Sequence, residues 1–308
     1  MGDCLLLTSP VRALKEEFPD FQVSVVVESR FADCFDGNPD FAEVISITNK
    51  SSALKLFPRH FDAILNLHGG PTSLAYSWLA RGPRIGAPQY QYNWAYSGLV
   101  PSVEPHMHCV DATMSALCWL GLQRTSEAPS LRYTSHPREA ERMATVFRNR
   151  EYIVIHPGAL QVTKRWEPHR FAQLARTLEA DGLTIAFTGG PGEDSVVAEV
   201  AHDVPGATIL LGLTIPELAE LIRGARLYIG NDSGPMHLAS AVGTPIVAPW
   251  GSSDSRAWHP WGVPSKVIQN PFECNPCPGY RCLVAATPLC IESVSVEQVV
   301  SAARELLK

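Results

Sequence analysis

Long apolar runs are missing from this 308-residue chain: nothing in it approaches the ~18 consecutive apolar residues of a membrane-spanning helix, although 45% of its residues are hydrophobic. That absence excludes a helical membrane topology. Charged residues make up 18%, and beside that apolar fraction they give the profile of a folded chain rather than a disordered one. An excess of positive charge is missing too. Lys and Arg number 25 against 31 Asp and Glu, net −6, so the global charge recruits no nucleic acid, and contact with an anionic membrane is at most peripheral. Any anion site has to be local. The 8 cysteines fall well short of a disulfide scaffold, and the N-terminal stretch lacks the basic, apolar and small-residue segments of a secretory signal, so a cytoplasmic protein is expected. The dinucleotide fingerprint G-x-G-x-x-G occurs nowhere. A nicotinamide or flavin enzyme thereby loses its main support, and no cofactor is expected.

What is present alternates. The length suits two α/β domains of ~150 residues, and the pattern predicts residues 1–150 as one and 151–308 as the other. Thr8-Ser9-Pro10 reads as the start of a helix running to Pro19, with Gly2-Asp3 just ahead of it. Strand-like runs at Gln22–Val27, Val44–Ile47 and Ala63–Leu67 predict a parallel sheet. From Arg84 to Pro105 periodicity fails, and Tyr90, Tyr92, Trp94 and Tyr96 mark an aromatic loop that either stacks on sugars, with Trp78, Arg81 and Arg84 nearby, or packs internally. Gln123–Arg150 reads as the interdomain connection, with a helix at Pro137–Phe147. A more regular series follows: strands at 152–155, 183–187, 208–211, 227–229 and 245–248, with helices at 168–179, 194–202, 215–223 and 235–241 between them. A final helix over Ser295–Leu307 is expected to cross back onto the N-terminal half.

In open α/β sheets ligands gather beyond the carboxyl ends of the strands. There this chain has His156-Pro157-Gly158-Ala159 followed by Lys164-Arg165-Trp166, a glycine turn with two adjacent cations that suits a diphosphate or is simply a solvated loop. It also has Thr188-Gly189-Gly190-Pro191-Gly192-Glu193, which is a plain turn or one whose carboxylate receives ribose hydroxyls. The strongest segment is Ile229-Gly230-Asn231-Asp232-Ser233-Gly234-Pro235-Met236-His237. A strand ends, Asp232 or Ser233 caps, and Pro235 opens a helix, so the N–H groups of Ser233, Gly234 and Met236 are expected to face an anion, with His237 as a further donor or a capping residue.

These segments, together with Leu7-Thr8-Ser9-Pro10-Val11-Arg12-Ala13-Leu14-Lys15, Phe18-Pro19, Asn38-Pro39 and Gly243-Thr244-Pro245, resemble glycosyltransferase family 9, the ADP-heptose:lipopolysaccharide heptosyltransferase-like enzymes of bacteria. The resemblance implies an α/β GT-B fold, two Rossmann-like domains facing across a cleft, with the nucleotide sugar on the C-terminal one. It implies inverting transfer of a heptose from ADP-heptose to a sugar hydroxyl of a glycolipid or glycan acceptor, at most at the inner face of the inner membrane. Other readings on the same scaffold are a nucleotide-sugar epimerase or a non-catalytic nucleotide- or glycan-binding protein. By the resemblance Asp3 is the base, and Lys164 with Gly158, Ala159, Ser233, Gly234 and His237 holds the diphosphate. Glu193 takes the ribose, the backbone near Leu213 the adenine, and Asp232 completes the donor set. No Asp-x-Asp triplet occurs, so metal-dependent diphosphate binding is not indicated.

Two departures stand out. The strand and glycine turn that usually precede Gly-Asp in the family are absent, so the expectation is either a start internal to a longer reading frame or an N-terminal domain without its first strand. Cys274-x2-Cys277-x4-Cys282-x7-Cys290 has the clustering of a zinc or iron–sulfur site, and equally of free thiols or a disulfide.

Overall fold

The computed structural model describes residues 1–123, 128–147, 150–277 and 280–308. By internal packing the chain forms two compact units, Met1–Leu6 with Ser130–Lys308, and Leu7–Pro129. The boundary thus lies at 129/130 rather than at the expected 150, and parts of the expected connection, 124–127 and 148–149, lie outside the described residues. The reason is the helix Pro137–Phe147. Phe147 stacks on Tyr152 with ring centroids 3.7 Å apart, and the His136 N–H donates to Glu220 at 2.9 Å, which fastens this segment to the larger unit.

The larger unit is built on a six-stranded parallel sheet: β6 (Tyr152–His156), β7 (Thr184–Gly189), β8 (Thr208–Leu211), β9 (Leu227–Gly230), β10 (Ile246–Pro249) and β11 (Ser265–Ile268). Its spatial order is β8-β7-β6-β9-β10-β11. Central β6 is buried at every residue, as a parallel strand covered on both faces must be. Ile153, Ile155, Phe187, Ile229 and Val247 meet Phe171, Leu174 and Leu178 of the helix Pro168–Ala180 in one core. The closing helix Val296–Leu306, expected to cross back onto the N-terminal half, is part of this larger unit. Its face of Val296, Val299, Val300 and Ala303 belongs to this same core, and Arg304 pairs with Asp181 and Lys266 with Glu305.

The smaller unit holds two short parallel sheets where one was expected: β1 (Ser24–Glu28) with β2 (Glu43–Ile47), and β3 (Ile64–Leu65), β4 (Arg84–Gly86) and β5 (Gly98–Leu99). Strands of two or three residues are too short to show a period of two, which is why β4 and β5 vanish into the Arg84–Pro105 segment. The first helix runs Gly2–Glu17 with Pro10 inside it, so Asp3 sits in its first turn and not ahead of it. Burial explains the extension: Leu5, Leu6, Thr8, Ser9, Val11 and Leu14 are all buried, so the apolar face continues N-terminal to the proline. Among the described residues no helix is long and apolar enough to cross a membrane.

Candidate functional site

In strand order the sheet reverses direction between β6 and β9: β7 and β8 extend to one side of β6, β10 and β11 to the other side of β9. The loops leaving a doubly wound sheet at such a switch point diverge and leave a crevice beyond the strand ends. His156 pairs in register with Gly230. The two segments with the most chemistry, 156–166 and 230–237, therefore leave the sheet side by side.

Asn231 ties them together. Fully buried, its amide donates to the carbonyls of Pro157 (2.8 Å) and Gly158 (3.3 Å) and accepts from the Trp166 N–H (3.0 Å). Trp166, itself buried, is pinned by its indole N–H to the Val294 carbonyl at 2.8 Å. Lys164 is thereby presented to Asp232, with 2.6 Å between Nζ and Oδ2, and Ser253 donates to the same oxygen at 2.5 Å. The second expected cation is used otherwise: Arg165 donates to the carbonyls of Ala159 (2.5 Å) and Leu160 (3.3 Å), bracing its own loop.

The helix Gly234–Val242 starts here, with Ser233 at the N-cap position. Neither Asp232 nor Ser233 caps it through a side chain, since Asp232 is engaged with Lys164 and Ser253 and Ser233 makes no such bond. The Met236 N–H, expected to face an anion, turns back to the Ser233 carbonyl at 3.1 Å. Gly234 carries the helix N-terminus, and a Cβ there would lie 2.7 Å from the Met1 side chain. His237, 4% exposed, leaves Nδ1 without a hydrogen-bond partner. Burial pushes its pKa down to about 4, against the opposing pull of Asp232 and Asp3 and with Lys164 and the N-terminal amine adding to the drop. Asp3 is exposed and near enough for its charge to act on His237, and a Cβ on Gly2 would fall 2.8 Å from the His237 ring. Asp3, Lys164, Asp232, Ser233, Gly234 and His237 are thus gathered within one compact unit.

Glu193 closes the neighbouring strand end. Its Oε2 accepts from the Gly190 N–H at 2.7 Å and from His156 Nε2 at 3.2 Å, while His156 Nδ1 meets Thr188 Oγ1 at 3.1 Å. Burial would raise its pKa, but the His156 bond and charge, Gly190 and Arg165 outweigh that and hold the carboxyl below its ordinary value. Gly158 is needed for this carboxylate, since a Cβ at 158 would lie 2.1 Å from Glu193 Oε2. Ala159 is buried beside it. Leu213 stands apart, half-buried after β8 at the sheet edge, two strands from the switch point. Sequence reasoning missed Asn231, His156, Thr188 and Ser253 as parts of the site. His156, Thr188 and Asn231 did carry a signal, as polar residues in the segments that leave the strand ends, whereas Ser253 carried none.

The aromatic loop of the smaller unit is divided. Tyr90 packs on Gly69, and Tyr96 packs on Gly86 and accepts from the Asn66 amide at 2.8 Å, whereas Trp94 is exposed. Cys274, Cys277, Cys282 and Cys290 form no disulfide, and among the described residues no group of three His, Cys, Asp or Glu side chains is arranged to hold a metal. The residues as placed do not fit the zinc or iron–sulfur reading of Cys274, Cys277, Cys282 and Cys290, a segment whose residues 278–279 lie outside the described ones.

Comparison with known proteins bears on the fold and the family. Lipopolysaccharide heptosyltransferase 3 of Escherichia coli is 29% identical over 288 residues, covering 84% of this chain and 83% of its own length. Among solved structures, a glycosyl transferase family 9 protein from Veillonella parvula superimposes with a TM-score of 0.86 at 22% identity, over 100% of this chain and 94% of that one. E. coli heptosyltransferase WaaC with ADP gives 0.79 at 18% identity, over 99% and 97%. These likenesses show the α/β GT-B fold. The profile described as "Glycosyltransferase family 9 (heptosyltransferase)" matches residues 52–287, and with that match over most of its length this chain belongs to glycosyltransferase family 9.

Proposed function

We propose that this enzyme transfers a heptose from ADP-heptose to a sugar hydroxyl of a lipopolysaccharide core or related glycan, with inversion at the anomeric carbon. The observation that carries the reading is the convergence of Asp3, the Lys164–Asp232 pair and the N-terminus of the helix Gly234–Val242 at the switch point of the six-stranded sheet. A relative that is a lipopolysaccharide heptosyltransferase, and a structural neighbour solved with ADP, support the choice of donor and acceptor class.

In this reading the acceptor hydroxyl gives its proton to the Asp3 carboxylate, and its oxygen attacks the anomeric carbon from the face opposite the leaving group. The bond from that carbon to the diphosphate oxygen breaks, its electron pair stays on the diphosphate, and ADP leaves. Lys164 and the helix N-terminus around Ser233 and Gly234 stabilise the charge that develops there, with His237 beneath them. The three hydrogens of the Lys164 ammonium allow it to keep Asp232 and still meet phosphate oxygens. Gly158 and Ala159 line the diphosphate side, Glu193 takes the ribose and the backbone near Leu213 the adenine. With these donors in place, and no Asp-x-Asp triplet in the sequence, the transfer is proposed to proceed without a metal.

The test is ADP release from ADP-heptose with and without a heptosylated core oligosaccharide. Release should depend on the acceptor, and Asp3→Asn should lower it by on the order of 10²–10⁴-fold while ADP affinity measured by calorimetry stays within about twofold. Donor consumption without acceptor contradicts transfer, and a large loss of ADP affinity in Asp3→Asn contradicts the role given to Asp3.

A further inference from the structure

The Glu193 carboxylate lies in the crease between the ends of β6 and β7, and its seat is unusually determined. On one side Gly158 leaves the space a side chain would take, with a hypothetical Cβ 2.1–2.2 Å from Cδ and both carboxylate oxygens. Below it, Gly189 and Gly190 bring the β7 backbone close enough for the Gly190 N–H to donate at 2.7 Å. The remaining internal bond comes from His156, the last residue of β6, 2% exposed and so fixed by packing. Both internal bonds land on the same oxygen, Oε2. Oε1 has no hydrogen-bond partner in the chain among the described residues, and the side chain keeps 19% exposure.

His156 is in turn held from behind, its Nδ1 3.1 Å from Thr188 Oγ1 on β7. A hydroxyl both donates and accepts, so Thr188 can donate to a bare Nδ1, which is the tautomer in which Nε2 carries the hydrogen that Glu193 accepts. Thr188 is buried as well. The series Thr188–His156–Glu193 therefore runs from the sheet interior to the ligand edge with one exposed end. A carboxylate whose one oxygen is tied down and whose other points at a ligand receives two hydroxyls at fixed separation, the geometry that a ribose 2′,3′-diol offers and a 2′-deoxyribose does not.

We infer that His156 is a positioning residue: backed by Thr188, it fixes the Glu193 carboxylate so that the nucleoside site selects a vicinal ribose diol over a deoxyribose. The inference rests on the reading of Glu193 as the ribose contact, and the experiment separates the two. Calorimetry of the full chain with ADP and with 2′-deoxy-ADP gives an affinity ratio that general damage to the fold does not alter. For the unsubstituted chain that ratio should be about tenfold or more in favour of ADP, the worth of one hydroxyl–carboxylate bond. His156→Leu, of similar volume and without the donor, should bring it to within about twofold of unity by weakening ADP binding alone. His156→Gln, whose amide N–H can reach the same oxygen, should restore most of it. Thr188→Val, close in shape and less disruptive, should lower it to an intermediate value and keeps the inference testable if His156→Leu does not fold. A ratio near one in the unsubstituted chain overturns the ribose reading of Glu193. A high ratio there that survives in His156→Leu, or in Thr188→Val where only that variant folds, leaves that reading standing and overturns the role of His156.

Discussion

Replacing Gly158 by alanine tests the site through a single methyl group. The Gly158 backbone lies outside the left-handed region, so alanine adds no conformational strain and the effect is confined to what the methyl meets. It meets the Glu193 carboxylate at 2.1–2.2 Å, far inside contact distance. Glu193 is the flexible partner, so it swings out and gives up the Gly190 N–H at 2.7 Å and His156 Nε2 at 3.2 Å. Bonds to a charged acceptor are worth ~1.5–3 kcal/mol each, and the lower figure applies where water can take over part of the role, giving about 3 kcal/mol for the two. Alanine returns about 0.5 kcal/mol by restricting the unfolded chain. The expected net loss is about 2.5 kcal/mol, a fall of roughly 5–10 °C in the melting transition of a unit of this size. The mechanism is checked by adding Glu193→Ala. That variant has already lost both bonds, so the methyl should then cost almost nothing, and the double substitution should equal Glu193→Ala alone by calorimetric unfolding. Costs that simply add, to within about 0.5 kcal/mol, would refute the steric coupling.

The remaining expectations concern burial. His237 takes a proton near 6.5 in the unfolded chain and only near 4 when folded, so stability is complete above the first value and falls as pH drops toward the second, by about 3 kcal/mol in all. Urea midpoints at pH 7 and 4.5 should show that fall, and His237→Asn should flatten it; parallel profiles would exclude His237 as the source. Asn231→Ala strands the Trp166 N–H and the carbonyls of Pro157 and Gly158 and should cost about 3 kcal/mol in chemical denaturation. Asn231→Asp should cost at least as much, because it turns a carboxylate oxygen toward the Pro157 carbonyl; a milder aspartate would mean that the amide is oriented the other way. Protein purified anaerobically should carry less than roughly 0.2 equivalents of zinc or iron, since no metal-holding group is assembled among the described residues. A full equivalent would require Cys274, Cys277, Cys282 and Cys290 to rearrange.

Regular elements were legible wherever the chain is long in one period. The helices at 194–202 and 215–223 and the strand at 208–211 fall where the pattern puts them, because each fills a whole strand or more than two helical turns between glycine or proline signals. The misreadings have local causes. β11 is a half-exposed edge strand, Ser-Lys-Val-Ile, whose polar half reads as loop. Pro10 looks like a helix start because the pattern of the preceding turn, Leu5 and Leu6, becomes meaningful only once those residues are seen to be buried. At the site, the helix Gly234–Val242 and Lys164 were visible as motifs. Their internal partners were not, since Lys164 and Asp232 are 68 positions apart in a sequence that says nothing about which strand ends are neighbours.

Gly158 shows where this limit acts. Read in the sequence, a glycine three residues beyond a strand, with cations following, is there to let the backbone approach a phosphate. In the folded chain its lack of a side chain clears space for a carboxylate contributed from 35 residues away, at the end of a different strand. The same holds at Gly230, where a Cβ would lie 2.6 Å from the buried Tyr228 hydroxyl, and at Gly234, where it would strike Met1. None of the three has a positive φ. These glycines therefore report close packing beneath the site rather than loop flexibility; Gly158 should tolerate alanine once Glu193 is shortened, whereas at Gly230 the His156 carbonyl, 2.9 Å from the same Cβ, would still stand in the way. The pairing of Gly158 with Glu193 makes a residue at the end of β6 and a residue after β7 a single unit in any variation the site allows.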